Sequence, residues 1–413
     1  MMTGEARATR QTYAILAIVL FFLFAVLAVA TRTVFTSRVP GANDFYMRWE
    51  AARAFWLDGL NPYSDEVTRR VEIGMRGRPS QGDENPGAFV YPFYTVFTLW
   101  PLVLLPYDWV QAIWIVLLAF LVVLIGYMSM WLLRWRIGLP AQALMILFVL
   151  FLYYSVRAVL LGQYAVVVAA LVIGSFLAIR SGRDGRAGVM LALSTIKPNM
   201  IFLIIPYLLL WAVFRRRWRM VWSFALAVAI LIATSFLLIP TWLSEYLDQL
   251  DDYTSYTAIG SPMWVVVQHY LGLGDAGEAI AATGIGLILV VVWMHTLRDD
   301  RWGTFQYVCG LTLIVTNLII LRTATTHYVI LYPVLWLVAK SVIDRSPRGG
   351  KWIVAAGMLV LLVGLWTLFV VTVVGKQEHP LMYLPLPLGL AFALVAWRRS
   401  LIEAAESGAC SIS

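Results

Sequence analysis

The sequence predicts an all-α polytopic membrane protein, and three observations carry that expectation. Hydrophobic residues make up 61% of the 413-residue chain and charged residues only 13%, where soluble domains hold roughly half and a quarter. The apolar residues come in runs of about 17–25, the length that crosses a bilayer. Between the runs lie short segments rich in arginine and lysine. A soluble enzyme, a disordered chain and a disulfide scaffold are thereby excluded. The two cysteines, Cys309 in an apolar run and Cys410 near the C-terminus, say nothing about redox compartment. The net charge of +8 would suit nucleic acid, but sorting the charges by membrane side removes that reading.

After Arg7 and Arg10 comes a first span, 12–31, too long and too little cleavable for a signal peptide. A polar stretch, 32–90, follows as the first extracytoplasmic loop. Further spans are expected over 109–133, 139–157, 160–180, 220–240, 279–297, 304–321, 326–343, 352–374 and 382–397. With two irregular segments they make a bundle of about 10–12 membrane helices, read as one integral membrane domain over 1–413. The clusters Arg134/Arg136, Arg180/Arg183/Arg186, Arg215 to Arg219, Arg298/Arg301, Lys340 to Lys351 and Arg398/Arg399 all fall on one face. The positive-inside rule makes that face cytoplasmic, together with both termini. Of the 31 Lys and Arg residues, 19 then lie inside, and the outer surface is left acidic.

Two segments do not read as plain spans. Residues 187–214 begin and end beside cytoplasmic arginines but are too short for two full crossings, so they form a short membrane hairpin with Lys197-Pro198 near its outer tip. Proline supplies the break. Residues 89–106, with Pro92, Pro101 and Pro106, would invert every later loop if they crossed, and read as re-entrant or surface-lying. Irregular backbone at membrane depth survives only where protein or a watery cavity satisfies it. Both segments therefore point to a cavity that opens outward. No internal repeat is visible, in contrast to many secondary transporters.

In the first outer loop, Phe45, Trp49, Ala52 and Trp56 fall at helical spacing until Asp58-Gly59-Leu60-Asn61-Pro62 ends the run. This predicts a surface helix with Asp44 at its N-cap, where a carboxylate accepts backbone N–H groups. A second amphipathic run, Ser64 to Met75, brings Val67, Val71 and Met75 to one side.

Lys197 interrupts an otherwise apolar stretch, Met190 to Ile196. An ionisable residue there is costly and by default functional, with snorkelling to the interface as its plain alternative. Arg322 and His327 occupy the outer end between two spans; a lone histidine there also serves as a hydrogen-bonded packing residue. Together the three would form a cationic cluster on an acidic face, for which phosphate is the natural partner. Gln163 and Gln268 lie at outer turns, suited to sugar hydroxyls or to loop carbonyls. Asp251-Asp252 reads as a solvated loop pair and Asp299-Asp300 as charge balance. No nucleotide-binding glycine loop, Cys/His metal spacing or nucleophile elbow is present in the sequence, so neither metal nor cofactor is expected.

Asp44-Phe45 with Tyr46, Gly59 to Tyr63, Tyr91-Pro92, Gly162-Gln163, Lys197-Pro198 and His327-Tyr328, in that order, resemble the GT-C superfamily of polytopic glycosyltransferases. More narrowly, they resemble its bacterial polyprenyl-phosphate-mannose-dependent α-mannosyltransferases, of the phosphatidylinositol-mannoside type. The resemblance implies a GT-C bundle in the bacterial plasma membrane and transfer of a sugar, mannose, from a polyprenyl-phosphate donor to a lipid or glycan acceptor on the extracytoplasmic face. It also implies Asp44 as catalytic acid residue of the first loop, Lys197 as the lysine before proline and His327 as the late histidine. Inverting single displacement needs one general base and stabilisation of the departing phosphate. Asp44 supplies the base, Lys197, Arg322 and His327 the phosphate contacts, and Gln163, Gln268, Tyr46 and Trp49 weaker sugar or acceptor contacts. Two other readings remain: a transporter or flippase of a lipid-linked sugar, which would want the cationic outer site but not the base, and a non-catalytic scaffold, whose acidic and basic sites would tolerate substitution.

The topology is open to test. A cysteine placed at Ser64 is expected to react with an impermeant maleimide added outside the cell; labelling only after the inner face is exposed would reverse the orientation.

Overall fold

The computed structural model describes residues 4–39, 44–81, 84–256, 260–320, 323–375 and 378–407, and among these it contains helices and turns but no strand. A helix satisfies its backbone N–H and C=O groups within one segment, which is what an apolar surrounding demands. In chain order the helices are α1 (Gly4–Thr31), α2 (Phe45–Asp58), α3 (Asp65–Arg76), α4 (Tyr107–Leu132), α5 (Leu139–Phe151), α6 (Tyr153–Leu160), α7 (Ala165–Arg180), α8 (Asp184–Ser194) and α9 (Ile204–Phe214). There follow α10 (Trp218–Leu238), α11 (Trp242–Tyr256), the single turn α12 (Pro262–Trp264), α13 (Gly274–Thr296), α14 (Trp302–Ile319), α15 (Tyr332–Arg345), α16 (Gly350–Thr372), α17 (Pro385–Ala396) and α18 (Arg398–Ser407).

Among the described residues, seven helices are long and apolar enough to cross a membrane, or up to nine if each of two bent pairs is one span. The shorter α7 and α9 are apolar as well. The chain is a polytopic helical membrane protein. Two expectations change in detail. The span expected at 139–157 is not straight: α5 and α6 meet at 56°, at Leu152, which leaves helical φ/ψ with ψ 132°. Asp251 and Asp252 lie on α11 rather than in a loop.

The chain divides into two compact units. The first comprises residues 1–89, 95–120 and 160–162, the second 90–94, 121–159 and 163–413. In the first unit, Arg32 pairs with Asp108 at 2.8 Å, and Thr36 Oγ1 donates to the Asp108 carbonyl at 2.6 Å, so the foot of α1 is tied to the start of α4. Helix α2 packs on α3, which begins at Ser64, whose Oγ accepts the Val67 N–H, and which buries Val67 and Val71. Residues 93–99 and 102–104 are 3-10 turns instead of a long helix. In the second unit, α14 and the segment ending in α15 are largely buried, whereas α10 and α16 present apolar residues outward, as lipid-facing helices do.

Helix α8 packs against α7 and α10, and Gly188 makes the α10 approach feasible. A Cβ there would collide with Ser223 Oγ and the Met220 carbonyl, and would stand 2.8 Å from the Phe224 nitrogen. Small residues that let helix backbones approach are a recurrent device of membrane packing. Gly188→Ala is expected to cost about 1–3 kcal/mol by overpacking, read as a lowered thermal midpoint of the detergent-purified protein. Gly185→Ala on the same helix, where a Cβ meets nothing within 4 Å, should leave the midpoint unchanged or slightly raised.

Candidate active site

Proline fixes the geometry around Lys197. The residue before a proline is pushed out of the helical region, and Lys197 accordingly has φ −133° and ψ 77°, so α8 stops at Ser194 and a 3-10 turn, Pro198–Met200, follows. This sends the lysine side chain into the second unit, where it is 8% exposed and its Nζ donates to Gln163 Oε1 at 2.9 Å. Gln163 is presented by a left-handed glycine turn. Gly162 has φ +66°, and the Gln163 N–H reaches back to the Ala158 carbonyl at 2.9 Å, the closing bond of a Schellman cap.

His327 lies in the 3-10 turn Thr325–Leu331 and is buried. Its Nδ1 is 2.9 Å from Thr323 Oγ1, and Thr323 N–H donates to the Gly260 carbonyl at 2.9 Å. The ring is near enough to Lys197 to feel its charge. Tyr94 OH donates to Thr195 Oγ1 at 2.9 Å, two residues before Lys197, and the Tyr91 ring is 5.8 Å from that of Tyr164, the neighbour of Gln163. Trp242 meets Tyr94 edge-on at 6.2 Å. Tyr246 lies near Tyr91 and Tyr94, and its burial pushes its hydroxyl pKa up to about 12. The second unit thus joins Tyr91-Pro92, Gln163, Lys197-Pro198 and His327 as a polar centre with aromatic walls. Around it, Asn199 Oδ1, Thr326 Oγ1 and Trp242 Nε1 are buried without a hydrogen-bond partner. Such atoms are normally met by protein, water or ligand.

Asp44 belongs to the first unit. Phe45, next to it, stacks on Trp114 at 4.6 Å, and Trp114 Nε1 donates to the Gly162 carbonyl at 3.0 Å. A Cβ on Gly162 would come within 2.5 Å of Phe45 Cβ, so glycine is required there by space as well as by its positive φ. Asp44 does not cap α2 through its side chain: it already has helical angles, φ −64° and ψ −15°, where a capping residue needs extended ones. Its carbonyl instead accepts from Arg48 Nη1 at 2.6 Å. On the same helix, Tyr46 and Trp49 pack around Tyr107 at 4.8 and 5.1 Å, and Trp49 Nε1 is buried without a partner. Burial, reinforced by Glu50, raises the Tyr46 hydroxyl pKa to about 12, so it remains a donor at neutral pH.

Other predicted residues fare differently. Gln268, in a π turn, donates to Asp275 at 2.9 Å and also to Glu278, so it is engaged by carboxylates of α13. Arg322 lies outside the described residues. Asp299 pairs with Arg301 at 2.6 Å and Asp300 with Arg215, which is the expected charge balance. Among the described residues no group of three or more His, Cys, Asp or Glu side chains converges as a metal site. A small, mostly apolar cavity between Phe176, Phe305, Cys309 and Val334 includes none of the candidate residues. Sequence reasoning missed Tyr94, Trp242, Thr323 and the ion pair Arg157–Glu378, 3.1 Å. Only Arg157 left a signal, as a lone charge in an apolar run.

The sequence model of Glycosyltransferase family 87 matches residues 89–320, more than half of the chain. The chain belongs to glycosyltransferase family 87. It is therefore a membrane glycosyltransferase, and the matched stretch includes Tyr91-Pro92, Gly162-Gln163 and Lys197-Pro198 while Asp44 and His327 fall outside it. No curated protein matches the chain at a significant level.

Glu50 gives this family 87 chain a pH signature. Burial, the largest influence, raises its carboxyl pKa, with Arg53 and Arg70 opposing. The folded state then binds the proton more tightly than the unfolded one, so the cost of ionising Glu50 is present above the folded pKa and absent below the unfolded value. Glu50→Gln is expected to raise the thermal midpoint at pH 7.5, with the gain vanishing as the pH approaches 4; an equal gain at both would assign it to packing.

Proposed function

We propose that the chain transfers mannose from a polyprenyl-phosphate donor to a lipid or glycan acceptor on the extracytoplasmic face of a bacterial plasma membrane, with inversion at the anomeric carbon. The observation that carries the reading is the buried Lys197 ammonium, held by Gln163 and close to His327 within aromatic walls. A fixed cation in a water-poor site stabilises the charge that develops on a departing phosphate. Lys197 takes that role, with His327 as a hydrogen-bond contact to the phosphate and Arg322 as the third member of the predicted set. The unpartnered Asn199 Oδ1, Thr326 Oγ1 and Trp242 Nε1 suit the hydroxyls of a sugar.

Asp44 is the general base. Its carboxylate takes the proton of the acceptor hydroxyl, the hydroxyl oxygen bonds to the anomeric carbon, and the bond from that carbon to the phosphate oxygen breaks with its electron pair leaving on the phosphate. Tyr46 and Trp49 are assigned acceptor contacts, and Gln268 a peripheral one.

Membranes offered a panel of polyprenyl-phosphate sugars, followed by analysis of the glycolipids formed, test the reading. Asp44→Asn is expected to lower transfer by about 10²–10⁴-fold, the usual contribution of a general base, with donor binding retained. Lys197→Ala should weaken donor use by roughly 10–150-fold, the loss of a charge-assisted contact worth about 1.5–3 kcal/mol, and leave acceptor use nearly unchanged. Lipid translocation in vesicles without any new glycoside would replace the transferase reading of this site by a flippase.

A further inference from the structure

The second unit holds a buried carboxylate that the proposed chemistry does not use. Glu378, with a side chain 4% exposed, lies 3.1 Å from Arg157 Nε. Its Oε1 accepts from Tyr153 OH at 2.5 Å and from Thr325 Oγ1 at 2.6 Å, and Arg157 Nη1 donates to the same tyrosine oxygen at 3.3 Å. Three side chains from two other segments therefore meet at one oxygen of Glu378. Taking a carboxylate out of water costs several kcal/mol unless it is paired and hydrogen-bonded, and here it has both.

Thr325 is the first residue of the 3-10 turn that carries His327. The same stretch of chain that follows Glu378 grips the neighbourhood again: Tyr328 OH donates to the Tyr383 carbonyl at 2.9 Å and Tyr154 OH to the Met382 carbonyl at 3.0 Å. A short 3-10 turn has weaker internal hydrogen bonds than an α-helix, so external ties decide where its side chains stand. We propose that Glu378, neutralised by Arg157, is a positioning residue that fixes the Thr325–Leu331 turn and so the His327 imidazole. The inference rests on the donor-phosphate role assigned to His327, and it lies outside the stretch matched by the family model.

Histidine carbethoxylation of the purified full chain, followed residue by residue by mass spectrometry, tests the positioning independently of activity. His269 and His295 are exposed and serve as internal standards against the buried His327. Thr325→Val removes only the hydroxyl tie and keeps the Arg157–Glu378 pair, while Glu378→Gln removes the charge. Both are expected to speed modification of His327 about tenfold relative to the standards, with no change in theirs, and to lower kcat/KM for the polyprenyl-phosphate donor while the acceptor KM holds. An unchanged His327 rate in Thr325→Val would overturn the proposal, whether or not the Glu378 variant folds. Faster labelling with unaltered sugar transfer would support the positioning and overturn the role of His327 in the reaction instead. If the wild type transfers no sugar from such donors, the functional reading fails, and the labelling rates still decide the positioning.

Discussion

An ammonium group carried into an apolar helical body has to be met there by polar atoms, and the Lys197–Gln163 hydrogen bond of 2.9 Å is the contact around which the second unit is arranged. Its two members come from breaks in helices. Pro198 ends α8 three residues before Lys197 and holds Lys197 out of the helical region, while Gly162 turns the chain after α6 so that Gln163 faces the lysine. A continuous helix through either point would have kept its side chains in the packing between neighbours. The amide oxygen is a neutral acceptor, so this hydrogen bond does not itself offset the charge of the lysine.

Much of this was legible in the sequence because it is encoded locally. The apolar runs, the arginines between them, the Lys-Pro break and the Gly-Gln turn each depend on residues within one or two turns of each other, and the spans and breaks follow from them. What could not be read was partner choice across the chain. Gln163 reads from its turn as a sugar or loop-carbonyl contact, and nothing local shows that its oxygen also serves Lys197, 34 positions away. Tyr94 finds Thr195 across 101 positions and Tyr153 finds Glu378 across 225; no periodicity records such pairings. At Asp44 the residue type pointed to capping, but whether a residue caps depends on its φ and ψ, and these are already helical.

The family match and the structure divide the candidate residues in an informative way. The matched stretch, 89–320, contains the lysine, its amide partner and the tyrosines around them, all in the second unit. Asp44 precedes it, and His327 and Glu378 follow it. On the proposed reading, binding of a sugar phosphate draws mainly on the matched stretch, and the deprotonating carboxylate comes from the part of the chain that precedes it. An acceptor hydroxyl is set by whichever segment carries the base, so a donor site shared within a family is compatible with acceptors that differ between its members.

The predicted site residues described in the second unit share one further property: they sit where regular helix fails. Lys197 precedes a 3-10 turn, His327 lies within one, Gln163 follows a left-handed glycine and Gln268 belongs to a π turn. In an apolar surrounding each break releases backbone groups that need partners, so breaks persist only where polar side chains or a wet cavity supply them. The reverse also holds, since a charged side chain at such depth needs the dipoles that a broken helix exposes. Breaks and polar side chains therefore select one another, and in this chain the Lys-Pro and Gly-Gln dipeptides mark the polar centre more directly than any single charged residue does.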